Sequence, residues 1–126
     1  MLRLPQSPAE PSWLDLIPGV RVHVRPATPA AMIAARAEAG QAFRPEYAPE
    51  TEDAPDNRRW NAAERLVRAL ARFAIFEWEG VGDFEGQAVP VTPANIDSLM
   101  GVCRAHEAFD RLYVMPILTE GEEKNG

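Results

Sequence analysis

The sequence of 126 residues has little cysteine, little positive charge and no long hydrophobic run. Its single cysteine, Cys103, cannot form an internal disulfide, which excludes a disulfide-stapled secreted scaffold. No apolar run approaches the roughly 20 residues of a membrane-spanning helix, and the first residues lack the apolar core of a signal peptide. Lys and Arg number 13 against 19 Asp and Glu, a net charge of −6, which argues against a general nucleic-acid coat. These absences favour a small cytosolic domain.

The length fits one domain, because domains usually contain about 100–150 residues. We expect an irregular N-terminal arm over residues 1–12, where three prolines follow one another closely. A single domain follows over residues 13–118. The remaining residues, 119–126, are polar and without periodicity, which predicts a disordered tail.

An alternating segment, residues 20–25, predicts a half-buried strand with valines on one face and Arg, His and Arg on the other. Pro18 and Gly19 predict a turn before it. The apolar residues 13–17 either pair with this strand or cover the core as a flap, and we favour a short hairpin. If residues 20–25 lie at a sheet edge, they offer a route to self-association.

Two Thr-Pro pairs predict the starts of helices, because threonine caps a helix and proline suits its first position. The pair at residues 28–29 opens an alanine-rich stretch over residues 30–41. The pair at residues 92–93 opens a segment whose apolar residues share one helical face until a glycine weakens the helix. We therefore predict two short helices, broken near residues 101–104 and ending at Pro116.

Apolar residues spaced three and four apart predict a long central helix. It begins after Asp56 or Asn57 as the cap and ends near Glu77. Residues 43–55 predict a loop, and the three glycines of residues 80–86 predict a tight hairpin or an extended lobe. The expected fold class is α+β: a small, helix-dominated single domain with a short N-terminal β strand or hairpin and a central long helix.

The central helix carries a stripe of arginines. Arg65, Arg68 and Arg72 share one face, between acidic segments at residues 50–56 and 77–85. Guanidinium groups bind carboxylates and phosphates through paired hydrogen bonds. The stripe therefore either binds a partner or is neutralised by the acidic segments on either side. Of the possible partners, a protein is favoured over a nucleic acid.

No catalytic, cofactor-binding or metal-binding residue is predicted. Cys103 and His106 lie one helical turn apart but lack an orienting partner, so we interpret Cys103 as a small core residue and His106 as partly exposed. The two histidines show no zinc-type spacing, and the acidic residues 50–56 lack the register of a calcium loop. The glycines of residues 80–86 lack the lysine and Ser/Thr of a phosphate-binding loop. No cofactor is expected.

Several stretches together resemble a known group of proteins. Residues 13–16 read Trp-Leu-Asp-Leu and lead through residues 18–26 into the alanine-rich helix. Trp-Glu-Gly-Val-Gly-Asp and Gly-Gln-Ala-Val-Pro-Val-Thr-Pro follow within residues 78–93, and Phe-Asp-Arg-Leu-Tyr-Val-Met-Pro occupies residues 109–116. Over residues 13–126 the chain resembles the small tail assembly chaperones and related tail proteins of long-tailed bacteriophages, prophages and gene transfer agents.

The resemblance implies a role without catalysis. Such proteins bind the tape-measure protein in the cytoplasm of the bacterial host, keep it soluble and deliver it to tail-tube subunits. It also implies a homo-oligomer, and neither nucleic acid nor membrane as a partner. A longer, frameshifted form is a known feature of the group, and Lys124-Asn125 is compatible with a slippery A-rich run of codons.

Two alternatives stay open. One is a structural virion component, such as a minor tail, tail-terminator or head–tail joining protein. The other is a small ligand-binding protein or enzyme that uses the glycine-containing loop at residues 80–86. For the protein–protein role, the expected contact residues are three arginines and three aromatic residues: Arg65, Arg68, Arg72, Trp78, Phe84 and Tyr113.

Overall fold

A β-hairpin forms the first regular structure of the chain. In the computed structural model, which describes residues 1–119, β1 (Ser12–Ile17) pairs antiparallel with β2 (Val20–Val24). Gly19, at φ +82°, supplies the left-handed conformation that the connecting turn needs. The predicted hairpin is therefore confirmed. The tail beyond residue 119, with the proposed slippery site at Lys124-Asn125, lies outside the described residues.

A third strand corrects the predicted extent of the central helix. The helix α2 (Arg58–Ala74) ends three residues before Glu77, and the chain continues directly into β3 (Ile75–Glu79). This strand pairs antiparallel with β2, giving the sheet order β1-β2-β3. The β-branched and aromatic side chains after Ala74 suit a strand, and the open side of β2 gives that strand a partner. Helical periodicity alone cannot detect such a neighbour.

The third strand also places β2 in the centre of the sheet, so residues 20–25 do not form an edge. The predicted faces of β2 are confirmed. Val22 and Val24 are buried, while Arg21 and His23 lie on the opposite face, where they pair with Glu79 and Glu77 of β3. Self-association through an edge formed by β2 is therefore excluded.

Aromatic rings cover the face of the sheet that is turned away from the core. Trp13 stacks on His23 with ring centroids 4.6 Å apart, and His23 lies 4.4 Å from the ring of Phe76. Phe76 is the extra residue of a β-bulge, because His23 pairs with Glu77 and the next residue of β2 pairs with Ile75. The bulge brings Phe76 and the Glu77 carboxylate to the same histidine.

Threonine caps begin two helices, as predicted. Thr28 accepts a hydrogen bond from the backbone N–H of Ala31 at 3.1 Å and caps α1 (Pro29–Gly40). Thr92 accepts one from Asn95 N–H at 3.1 Å and caps α3 (Pro93–Met100). At the start of α2 the cap is indirect, because Asn57 makes no side-chain capping bond and the carboxylate of Asp56 accepts the N–H of Arg58 at 3.1 Å instead.

The connection between α1 and α2 is not wholly irregular. Two 3₁₀ turns, Gln41–Phe43 and Pro45–Tyr47, follow α1 directly. The predicted loop over residues 43–55 therefore begins with a short helical turn, and the rest of it contains no further helix or strand.

The C-terminal helical region breaks where predicted. After Gly101 and Val102 the chain resumes as α4 (Cys103–Phe109) and continues as a π-helical turn over Asp110–Val114. The helix does not end at Pro116, because residues 115–119 remain helical. Proline has no N–H to donate to the preceding turn, and the wide π turn ends at Val114, two residues before Pro116.

The break changes the environment of Cys103. We expected it on the same buried face as the apolar residues of α3, but the thiol is exposed. The two residues between α3 and α4 rotate the second helix, so the face that α3 buries does not continue through Cys103. His106 is partly exposed, as expected, and its Nδ1 lies 3.1 Å from the carbonyl oxygen of Met100.

One hydrophobic core joins the sheet and the helices. The valine face of β2 packs with the buried faces of α1, α2, α3 and α4. The largest side chains that are almost fully enclosed are Phe109, Leu70, Met100, Val22 and Val114. No helix in the described part of the chain is both long and apolar enough to cross a bilayer. The expected α+β class, with an N-terminal hairpin and a long central helix, is confirmed.

Candidate protein-binding groove

The arginine stripe of α2 lines a groove beside α1. The groove has a volume of about 310 Å³, at the lower end of the range for small-ligand pockets, roughly 300–1,000 Å³. It is built from α1, the 3₁₀ turns that follow α1, and one face of α2. Its lining residues are Glu38, Ala42, Tyr47, Asn61, Glu64, Arg65, Arg68 and Arg72.

Each of the three arginines pairs with a carboxylate. Arg65 donates to Glu38 of α1 at 3.3 Å, and Arg68 donates to Glu64, one turn earlier in α2, at 2.8 Å. The third, Arg72, reaches α3. None of these partners lies in the acidic segments at residues 50–56 and 77–85, which were one of the two alternatives for the stripe. Helix packing supplies the partners of Arg65 and Arg72, whereas Glu64 precedes Arg68 by four residues in the same helix.

Arg72 makes the best-aligned of these contacts. Its Nε and Nη2 atoms donate to the two carboxylate oxygens of Asp97, each at 2.7 Å. The paired hydrogen bonds raise the pKa of the Arg72 guanidinium above its ordinary value. The geometry is the bidentate one that fixes an arginine most firmly, so Arg72 is positioned mainly by its own chain.

Arg65 and Arg68 are less fully engaged. Each forms one hydrogen bond to its carboxylate, although a guanidinium has five N–H donors. The Nε atom of Arg68 is buried and has no hydrogen-bond partner among the described residues, which costs roughly 1–3 kcal/mol. About a third of each arginine side chain is exposed. These two arginines therefore retain donors for a carboxylate from outside the chain.

Three exposed aromatic side chains lie in the first turn of α2 and in the 3₁₀ turns that precede α2. Trp60, in that turn, is 72 % exposed, and Phe43 and Tyr47 are about half exposed. The guanidinium carbon of Arg58 lies 6.0 Å from the ring centroid of Phe43, and Tyr47 lines the groove together with Asn61. We call Phe43, Tyr47 and Trp60 the aromatic end. Trp60 belongs to the apolar pattern of α2, and its exposure shows that this pattern extends past the core at the N-terminus of the helix.

Phe84 occupies the tip of a rigid turn. Its side chain is 97 % exposed. The Asp83 carboxylate accepts hydrogen bonds from the backbone N–H groups of Glu85 and Gln87, at 2.9 and 3.0 Å. The backbone carbonyl of Asp83 accepts a third from Gly86 N–H at 2.9 Å. A short β-bridge joins the two arms of the turn below this point. The expected hairpin or extended lobe thus presents the side chain of Phe84 to solvent on a hydrogen-bonded backbone.

The other two predicted contact aromatics lie deeper. Trp78 is partly buried against the core, and its indole N–H donates to the carbonyl of Val89 at 2.9 Å. Tyr113 is 7 % exposed, and its hydroxyl donates to the carbonyl of Arg25 at 2.8 Å. Both side chains use their polar atoms to hold the fold together, so of the three predicted aromatics Phe84 alone presents a fully exposed surface.

The glycine-containing loop at residues 80–86 borders a second cavity, of about 370 Å³. Asp83 is the titratable residue in its lining, and the Asp83 carboxylate is already taken up by the turn. The cavity has no convergent set of acids and bases of the kind a catalytic site needs. Within residues 1–119 no three metal-binding side chains come together.

Some groove residues have no signal in the sequence. Glu38 lies in the alanine-rich helix, and Asp97 lies in the short α3, far from the arginines along the chain. Tyr47 falls in a segment that predicts a loop. Helical spacing predicts the stripe and the pairing of Arg68 with Glu64, whereas Glu38 and Asp97 become partners only because the helices pack together.

The described residues thus define a small α+β domain with an arginine-lined groove, an aromatic end and an exposed phenylalanine turn. Comparisons with protein-family models, with curated proteins and with solved structures find no match for the chain. The inference of function therefore depends on these surfaces and on the motif resemblance described above.

Proposed function

We propose that the protein is a tail assembly chaperone of a long-tailed bacteriophage, prophage or gene transfer agent. In this role it binds the tape-measure protein in the cytoplasm of the bacterial host, without catalysis, until tail-tube subunits assemble around it. The motif resemblance over residues 13–126 suggests the role, and the aromatic end is the structural observation that carries it.

The aromatic end suits a helical client. Aromatic side chains provide large contact areas at low conformational cost and dominate the energy of many protein interfaces. An amphipathic helix binds by laying its apolar face on such a surface. Trp60 offers such a surface in the first turn of α2, where it is 72 % exposed in the isolated chain.

Co-expression with the tape-measure protein tests the proposal. The tape-measure protein is recognisable as the very long helical product of the same gene cluster. We expect it to be soluble and to co-purify with the chaperone, and to aggregate when expressed alone. Failure of the two proteins to co-purify would contradict the proposal.

Substitution at the aromatic end locates the client surface. Trp60→Ala should reduce the recovery of tape-measure protein at least tenfold without unfolding the chain, because the side chain is largely exposed. Ile33→Ala is the matched control, since Ile33 is also an exposed apolar residue, 68 % exposed, but lies on α1. Equal losses from the two variants would mean that the aromatic end is not the client surface.

Quantitative proteomics of purified particles separates the chaperone from the first alternative. A chaperone leaves before the tail is complete, so we expect the protein in assembling cells and only in traces in mature particles. A fixed, stoichiometric copy number in mature particles would instead identify a minor tail, tail-terminator or head–tail joining protein.

A further inference from the structure

The phenylalanine turn has the properties of a binding anchor. Phe84 is 97 % exposed, and Glu85, beside it, is exposed as well. Hydrogen bonds centred on Asp83 hold the turn in one conformation. A turn whose backbone is already held loses little backbone entropy on binding, and this one carries an apolar ring and a carboxylate on adjacent residues.

The groove offers the complementary chemistry. Arg65 and Arg68 retain N–H donors for a further carboxylate beside the Glu38 and Glu64 with which they pair, and the half-exposed Tyr47 contributes apolar surface to the same lining. The volume of about 310 Å³ admits one or two side chains rather than a large cofactor. An aromatic ring next to a carboxylate is the kind of ligand that fits it.

We propose that the Phe84–Glu85 turn of one copy of this chain docks in the groove of a second copy. The phenyl ring packs on Tyr47, and the Glu85 carboxylate accepts hydrogen bonds from Arg65 and Arg68. The contact is between molecules, because a side chain that is 97 % exposed does not lie in the groove of its own chain.

The two surfaces lie on different parts of the fold, so the contact is head-to-tail. Such contacts repeat from copy to copy and build a ring or an open helical filament rather than a closed two-fold dimer. Each copy carries a net charge of −6, and this repulsion limits the affinity at low ionic strength. The proposal needs no other protein for its test, and it shares Tyr47 with the aromatic end.

Sedimentation velocity with mixed variants tests the contact. The tip variant, Phe84→Ala with Glu85→Gln, keeps an intact groove, and the groove variant, Arg65→Gln with Arg68→Gln, keeps an intact tip. At physiological salt we expect the unmodified chain to assemble with rising concentration and each variant to remain monomeric. An equimolar mixture should form one-to-one dimers, because it contains one intact tip and one intact groove that can pair.

The control removes the same charge elsewhere. Arg59→Gln with Arg104→Gln changes two exposed arginines outside the groove and should assemble like the unmodified chain. Far-UV circular dichroism checks that every variant is folded. An unmodified chain that stays monomeric at its highest soluble concentration, a tip variant that still assembles, or a mixture that stays monomeric would each overturn the proposal.

Discussion

Arg72 of α2 and Asp97 of α3 are joined by two parallel hydrogen bonds of 2.7 Å each. The pair connects the long central helix to the first short helix of the C-terminal region. Both side chains are more than a third exposed, so solvent screens their attraction. The contact therefore contributes to the orientation of the two helices more than to overall stability.

A double-mutant cycle on this pair measures that contribution. We expect Arg72→Gln and Asp97→Asn to show a coupling free energy of about 0.5–1 kcal/mol in urea unfolding, the upper end for a partly exposed ion pair with bidentate geometry. The coupling should decrease in 1 M salt because ions screen it. A coupling that does not respond to salt would show that packing, rather than charge, joins the residues.

The buried hydroxyl of Tyr113 leads us to expect that the protein loses stability at alkaline pH. Burial raises the pKa of the Tyr113 hydroxyl from 10.0 to about 12. A raised pKa means that the folded state holds the proton more tightly than the unfolded state. The contribution of Tyr113 to the free energy of unfolding is therefore complete below pH 10 and is lost as the pH rises towards 12.

Comparison with Tyr113→Phe isolates this effect. Phenylalanine keeps the ring but leaves the carbonyl of Arg25 without its donor, which should cost about 1 kcal/mol near pH 8. The advantage of the unmodified protein over the variant should then shrink by about 1 kcal/mol between pH 9.5 and 11, in urea unfolding at each pH. A difference in the free energy of unfolding that stays constant over this pH range would contradict the raised pKa of Tyr113.

Local signals in the sequence predicted much of the fold. Alternating valines indicated β2 and its buried face, and Thr28 and Thr92 indicated where α1 and α3 begin. A glycine near residue 101 indicated the helix break. These features depend on a few neighbouring residues, so they can be recognised without knowing the rest of the molecule.

Features that depend on distant residues could not be predicted. The strand β3 continues the apolar pattern of α2 without a proline or glycine between them, and it becomes a strand because β2 offers hydrogen bonds. In the groove, the stripe containing Arg65 was predictable, but its partner Glu38 comes from another helix. The exposure of Phe84 was likewise undetermined, because an aromatic residue alone does not indicate whether the fold covers it.

We expect the carboxyl group of Asp56 to be unusually acidic. Side-chain and backbone hydrogen bonds from Arg58 lower the pKa of Asp56 from 3.8 to about 2. A lowered pKa stabilises the fold above pH 3.8, and that stabilisation disappears as the pH falls through about 2. We expect the carboxyl carbon of Asp56 to titrate near pH 2 by NMR.

Removal of the donor checks the cause. Arg58→Gln should raise the pKa of Asp56 towards its ordinary value, because the hydrogen bonds to the guanidinium are the largest cause of the shift. Arg59→Gln is the control, since Arg59 acts only through a weak charge effect and should change the pKa much less. Similar shifts in both variants would point to general charge rather than to hydrogen bonding.

The position of Gly80, where β3 meets the turn between β1 and β2, requires glycine. It adopts φ +84°, and a Cβ atom there would lie 1.8 Å from the carbonyl oxygen of Gly19. Gly86 adopts a similar φ of +82° but faces open space. In urea unfolding, Gly86→Ala should cost about 1–2 kcal/mol for the left-handed backbone alone, whereas Gly80→Ala should cost more than about 3 kcal/mol because backbone atoms must also move apart. Equal costs for the two substitutions would show that β3 and the turn are less closely packed than the structure indicates.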